Sequence, residues 1–151
     1  MQTVVDGILT HYEILGHGKQ HLLILHGWKR SLTEWLPVAS QLGDQYKVIL
    51  LDLPGFGQTP RPEKTLSIYD YAEFVKHFLG KLEIKKTTLL GHSFGGRIGI
   101  ILGAKTDLLN ALILVDSAAI EKKNTLVTFQ IAINKVLVFP IKLLSPSRVA
   151  I

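Results

Sequence analysis

Four short runs of this chain, HLLILHG, YKVILLD, TTLLGHS and ALILVDSA, are apolar at almost every position and end in polar residues or glycine. A strand with one wet face alternates, whereas a strand covered on both faces reads as an unbroken apolar run. These four therefore predict parallel strands at the buried centre of a sheet. The opening stretch TVVDGILTHYEILG behaves differently. It is β-branched, alternates, and meets the turn-like HGKQ, which predicts an antiparallel pair of strands. Between the apolar runs the spacing becomes helical. In SIYDYAEFVKHFLGKL the residues Ile68, Tyr71, Ala72, Val75, Phe78, Leu79 and Leu82 share one face, leaving Asp70, Glu73, Lys76 and Lys81 largely outside. SLTEWLPVASQLG offers Ser31 and Glu34 as a capping box, with Pro37 either close to the helix start or at a kink. FGGRIGIILGA predicts a third helix in which Gly95, Gly99 and Gly103 recur every four residues. Each glycine costs a helix about 1 kcal/mol against alanine, so such a stripe is best explained by backbone packed closely on the sheet. It is not a membrane motif, because Lys105, Asp107 and Asn110 interrupt the apolar positions between Ile98 and Val115.

Strands alternating with helices define an α/β fold, a mostly parallel sheet wound on both faces, whose chemistry belongs at the carboxyl ends of the strands. Those ends are His26-Gly27, Asp52-Leu53-Pro54-Gly55, His92-Ser93 and Asp116-Ser117.

Length and composition narrow the picture. A chain of 151 residues with 47% hydrophobic content suits one globular core. With no cysteine there is no disulfide framework, thiol nucleophile or cysteine metal cluster, and a cytoplasmic location is the natural expectation. The start of the chain lacks the pattern of a secretory signal. The formal charge is +5, and the segment from Ile120 onward supplies four of those charges, with five bases against the single acid Glu121. The rest is nearly balanced and has no dense basic run with interleaved aromatics, so a nucleic-acid partner has little support and a small-molecule substrate is expected. In the basic tail Leu126, Phe129, Ile133, Val136 and Leu137 can share a helical face, a pattern that fits a helix covering an apolar pocket and also a membrane-surface helix.

The chemistry concentrates at Gly91-His92-Ser93-Phe94-Gly95, a G-x-S-x-G motif after an apolar run and before a helix. A serine there sits on a turn so sharp that Gly91 and Gly95 must stay small. The helix then aims its first N–H groups at any oxyanion formed beside Ser93. Acyl transfer needs a second donor from a neighbouring loop, and His26-Gly27-Trp28 provides one, so the N–H groups of Trp28 and Phe94 form the candidate oxyanion hole. His26 itself is read as a buried, hydrogen-bonded histidine that shapes this loop. His92 adjoins Ser93 but is expected to point away from its hydroxyl. No phosphate loop, dinucleotide fingerprint or metal-ligand cluster is present, and Gly16-His17-Gly18-Lys19 lacks the upstream glycine and Ser/Thr of a Walker motif, so no cofactor is expected.

Taken together, HGW, LLDLPGFGQT, GHSFGG and LILVDSAA resemble the successive signature loops of the α/β-hydrolase fold, in its branch of serine hydrolases with a cap domain. The resemblance runs from about Gly7 to Ala119. It implies that residues 1–119 are the front part of the hydrolase core, truncated after the sixth strand, and that residues 120–151 begin the cap. It further implies hydrolysis of a small carboxylic ester or related acyl compound. A carbon–carbon bond hydrolase, a peptidase or a non-catalytic ligand-binding module on the same fold stays open. Serine rather than aspartate at the elbow argues against the dehalogenase and epoxide-hydrolase branches. Asp52 is read as organising its own loop. Asp116 stands where some members place the catalytic acid, most placing it one strand later. The family order is serine, acid, histidine. Here His11, His17, His21, His26, His77 and His92 all precede Ser93, so the base is missing from this sequence and the chain is expected to be incomplete and inactive alone.

Overall fold

The computed structural model describes residues 1–117. They form a six-stranded sheet in the order β1-β2-β4-β3-β5-β6. The strands are β1 (Gln2–Val5), β2 (Ile8–Leu15), β3 (Gln20–Leu25), β4 (Tyr46–Leu51), β5 (Thr87–His92) and β6 (Leu109–Val115). The first two make the expected antiparallel hairpin, closed by Asp6 at φ 49° and Gly7 at φ 79°, and β2 continues antiparallel onto β4. The contacts of β3 with β4, of β3 with β5 and of β5 with β6 are all parallel. The expected α/β architecture is therefore present, and the assignment of 120–151 to a cap lies outside the described residues.

The unbroken apolar runs fill two cores, because alternate side chains of one strand leave opposite faces of the sheet. Leu23, Leu25, Ile49, Leu51 and Leu89 face α2 (Ile68–Lys81) and α3 (Phe94–Lys105). Leu22, Ile24, Val48, Leu50 and Leu90 face Ala39 of α1 (Leu36–Leu42). On α2 the face expected from spacing is buried at Tyr71, Ala72, Val75, Phe78 and Leu79, and Phe74 joins it. The glycine stripe of α3 packs on the sheet as expected: a Cβ on Gly99 would stand 2.7 Å from Leu112 and 2.8 Å from Leu89.

The capping boxes differ from expectation. Ser31 precedes a 3-10 turn at Leu32–Trp35 without capping it, and Pro37 falls in the first turn of α1. Glu34 pairs instead with Arg30 at 2.9 Å. The Ser31 hydroxyl pairs with Thr33 Oγ1 at 2.7 Å, and the buried carboxylate of Asp52 takes the Leu32 N–H at 2.8 Å. The box forms on α2, where the Ser67 side chain accepts from the Asp70 N–H and Asp70 accepts from the Ser67 N–H. Among the described residues no helix is long and apolar enough to cross a membrane.

Candidate active site

Sheet register assembles the site. Leu25 pairs with Gly91, and Leu25 with Leu51, so His26-Gly27, Asp52 and His92-Ser93 leave the sheet side by side at its carboxyl edge. His92 pairs with Val115, and the Ser93 N–H donates to the Val115 carbonyl at 2.9 Å, which brings Asp116 to the same rim.

Ser93 joins β5 to α3 at φ 48°, ψ −106°, a backbone region that costs a non-glycine residue of order 1–3 kcal/mol. The turn holds it there because its neighbours leave no room for relaxation. A Cβ on Gly91 would stand 2.5 Å from the Gly96 Cα, and one on Gly95 would stand 2.7 Å from the Leu25 carbonyl carbon. The helix starting at Phe94 leaves its first N–H groups without intrahelical partners. Gly27 faces this elbow: a Cβ there would stand 2.8 Å from His92 Nδ1 and 3.6 Å from Ser93 Cβ. The loop that carries the Trp28 N–H therefore lies directly against the serine.

His26 is fully buried. Its Nδ1–H donates to the Gly27 carbonyl at 2.8 Å and its Nε2 accepts from the Leu53 N–H at 3.1 Å, so the ring ties the loop after β3 to the loop after β4. Burial holds its pKa below the ordinary 6.5, against smaller upward pulls from the Gly27 hydrogen bond and the Asp52 charge. The unfolded chain therefore takes up a proton before the folded one does. Stability from this group is complete above 6.5 and is lost as pH falls through the folded value. Thermal melts across that range should show a falling midpoint, and His26→Gln should flatten the slope while lowering the midpoint at neutral pH.

Asp52 is 1% exposed and organises its surroundings as the sequence indicates. One oxygen accepts from Leu32 N–H, the other from Gln58 N–H at 2.9 Å and from His11 Nδ1–H at 2.8 Å. The partnership with His11, 41 residues away, carries no sequence signal. His92 stands beside Trp35, ring centroids 6.0 Å apart, and its buried Nδ1 has no hydrogen-bond partner among the described residues. Asp116 is exposed at φ 47° and makes no ion pair among the described residues.

An aromatic cluster adjoins the elbow, and spacing alone did not reveal it as part of the site. Trp28 meets Phe56 at 4.9 Å and Phe94 at 5.1 Å, edge to face, and Tyr71 meets Phe94 at 5.1 Å. Burial raises the Tyr71 pKa, with a smaller opposing effect from Arg61, and its hydroxyl donates to the Pro54 carbonyl at 3.0 Å. Tyr71 thus ties α2 to the loop after β4, a role hidden when its position is counted only as part of an apolar face.

A strained serine between a parallel strand and a glycine-rich helix, facing a second loop of the same rim, is the arrangement of one fold family. The family model for the α/β hydrolase fold matches residues 20–138, and the chain belongs to that family. An uncharacterized hydrolase of Bacillus subtilis, YugF, is 33% identical over 123 residues, which is 80% of this chain and 45% of that protein. A soluble epoxide hydrolase of a Corynebacterium species is 31% identical over 116 residues, covering 76% of this chain and 40% of its own length. Among solved structures, that of a membrane phospholipase A described as a bacterial virulence factor aligns with a TM-score of 0.76 at 30% identity, covering 83% of this chain and 41% of that one. The chain thus spans less than half the length of these relatives.

Proposed function

We propose that this chain carries the nucleophile and oxyanion hole of a serine hydrolase acting on a small carboxylic ester or related acyl compound. The observation that carries this reading is the backbone of Ser93 at φ 48°, ψ −106°, held between β5 and α3 with Gly27 facing it. Strain of this kind persists only where the surroundings over-determine it, and it lifts the hydroxyl clear of the strand end. In the proposed reaction the Ser93 oxygen attacks the carbonyl carbon and its proton passes to a general base. The N–H groups of Trp28 and Phe94 hold the tetrahedral oxyanion, each donor of this kind being worth about 10²–10³ in rate. The carbonyl reforms as the base returns that proton to the departing alcohol; water then attacks the acyl-enzyme, its proton passing through the base to the Ser93 oxygen as the acid is released.

In this reading the base comes from beyond this sequence, since no histidine follows Ser93, and the acid either comes from there too or is Asp116. Asp116 is the candidate acid within it, because the β5–β6 register sets it beside Ser93. Serine at the elbow favours acyl chemistry over epoxide opening by a carboxylate nucleophile, although a soluble epoxide hydrolase is among the relatives. The same missing histidine favours a second reading, a binding module that keeps the pocket without turnover.

Two measurements separate these readings. The full-length protein is expected to react with a fluorophosphonate at Ser93, and Ser93→Ala to abolish labelling; a full-length protein that is not labelled would establish the binding module instead. The purified 151-residue chain is expected to hydrolyse a nitrophenyl ester only at trace rates, since loss of a triad member leaves roughly 10³–10⁴ over the uncatalysed reaction. Robust turnover abolished by Ser93→Ala would show that the base lies within these residues.

A further inference from the structure

We infer that the cavity flanking the Trp28 loop binds an oxyanion, a carboxylate or phosphate, borne by an apolar body; that this ligand is the substrate rests on the serine-hydrolase reading above. The cavity has a volume of about 510 Å³ and lies between the loop after β3, the loop after β4 and Tyr71 of α2. That is the size range of small-molecule sites.

Its charge is one-sided. Among the described residues Lys29, Arg30, Arg61 and Lys64 line it, and no acidic residue does. Arg30 is shared with Glu34 at 2.9 Å, but Lys29, Arg61 and Lys64 have no carboxylate partner among the described residues. Cations gathered around one concavity repel each other and raise the local concentration of anions. Residues 118–151 add to the positive balance of the sequence, with five bases and only Glu121 as an acid.

Most of the remaining lining is apolar; Ser93 and Phe94 are not part of it, and the cavity meets the elbow only through the aromatic rings that touch Phe94. Trp28, Phe56 and Tyr71 contribute aromatic surface, and Trp28 and Tyr71 both contact Phe94, the residue after Ser93, at 5.1 Å. These rings offer a surface for an apolar body beside the basic rim.

The walls are also preorganised. The loop bearing Phe56 and Arg61 is closed by Gly55 N–H to the Pro60 carbonyl at 3.1 Å and Thr59 N–H to the Phe56 carbonyl at 3.0 Å. It is pinned from outside by the Asp52 contact to Gln58 and by the His11 N–H to Thr59 Oγ1 at 3.0 Å. Lys29, on the other loop, takes left-handed backbone at φ 57°. A wall that need not reorganise loses less affinity on binding.

The test is equilibrium binding to the full-length Ser93→Ala protein, which cannot turn over, read through the fluorescence of Trp28, one of two tryptophans in this sequence. The probes are 4-phenylbutyrate, its neutral amide, phenyl phosphate, and vesicles containing phosphatidylglycerol. At least one of the two soluble anions should bind about tenfold tighter than the amide and weaken as salt is raised. The stronger of the two identifies the oxyanion. The double variant Arg61→Gln, Lys64→Gln should lose the preference, and the charge-keeping pair Arg61→Lys, Lys64→Arg should retain most of it. Equal affinities for anions and amide, a preference that survives the glutamine variant, or binding to vesicles without binding of either soluble anion would each overturn the proposal. If the preference holds while Ser93 of the unsubstituted protein resists the fluorophosphonate, the anion site stands and the hydrolase reading fails; the converse result removes the anion site alone.

Discussion

Replacing Gly91 or Gly95 by valine is expected to unfold the elbow, whereas Ser93→Ala should leave the fold nearly unchanged and Ser93→Gly should strengthen it. The reason lies in what each added atom meets. A Cβ on Gly91 would press on the Gly96 Cα at 2.5 Å and N at 2.6 Å, and one on Gly95 on the Leu25 carbonyl carbon at 2.7 Å. Both obstacles are backbone, so no rotamer change relieves them, and valine adds a branched side chain that is stiff at χ1. Overpacking of this kind costs about 3 kcal/mol or more, a large part of the 5–15 kcal/mol that holds an ordinary domain together. In a protein of some 150–250 residues that corresponds to a fall in Tm of roughly 6–12 °C, and in a longer full-length protein to somewhat less. Ser93→Ala keeps the Cβ and the strained backbone at φ 48°, so its melting point should lie close to the parent's. Glycine at that position removes the penalty for positive φ and should raise the midpoint. Thermal melts of the four variants in the full-length protein decide the matter. Indistinguishable midpoints would mean that the turn is not strained, and the main support for the nucleophile reading would be lost.

The sheet was legible from sequence because burial on both faces leaves an unmistakable mark, the unbroken apolar run. The same mark conceals which face each residue takes. Nothing in HLLIL separates Leu23, packed toward α2 and α3, from Leu22, packed toward α1; only the pairing in the sheet does so. The elbow was legible because its demands are local, two glycines and a serine within five residues. The box expected at Ser31 was not: its hydroxyl pairs with Thr33 Oγ1 and Glu34 with Arg30, while the first N–H of the 3-10 turn, at Leu32, goes to Asp52, 20 residues away. A local pattern cannot anticipate a distant competitor that is already buried and aimed. The basic cavity was hidden for a related reason. Lys29 and Arg30 lie on one loop, Arg61 and Lys64 on another, and the β3–β4 pairing makes them neighbours. Read along the chain, four scattered bases look like ordinary solvated surface.

The 151-residue chain expressed alone is expected to self-associate, and the cause is the margin of the sheet at β6. This strand bonds to β5 on one side and pairs with nothing on the other among the described residues. Ladder groups left open in this way are a template for another chain, which proteins blunt with charges, proline or bulges. From Ala111 to Val115 the outer strand has no charge and no proline, and its one irregularity lies at the entrance, opposite Thr87 and Thr88. Its side chains are also less covered than those of the central strands: Leu112, Ile113, Leu114 and Val115 are half-buried, where Leu23, Ile49 and Leu89 are fully enclosed. Sedimentation of the purified chain should therefore show dimers or larger species growing with concentration. Lysine at Leu112 or Leu114 should reduce this association, by placing charge on the open strand, at some cost to the fold. In the full-length protein the same substitutions should leave the oligomeric state unchanged, because in the hydrolase reading further strands pair beyond β6. A monodisperse 151-residue monomer that melts cooperatively would show that this edge is covered from within the chain itself, and the expectation that the missing base lies beyond the sequence would lose its structural support.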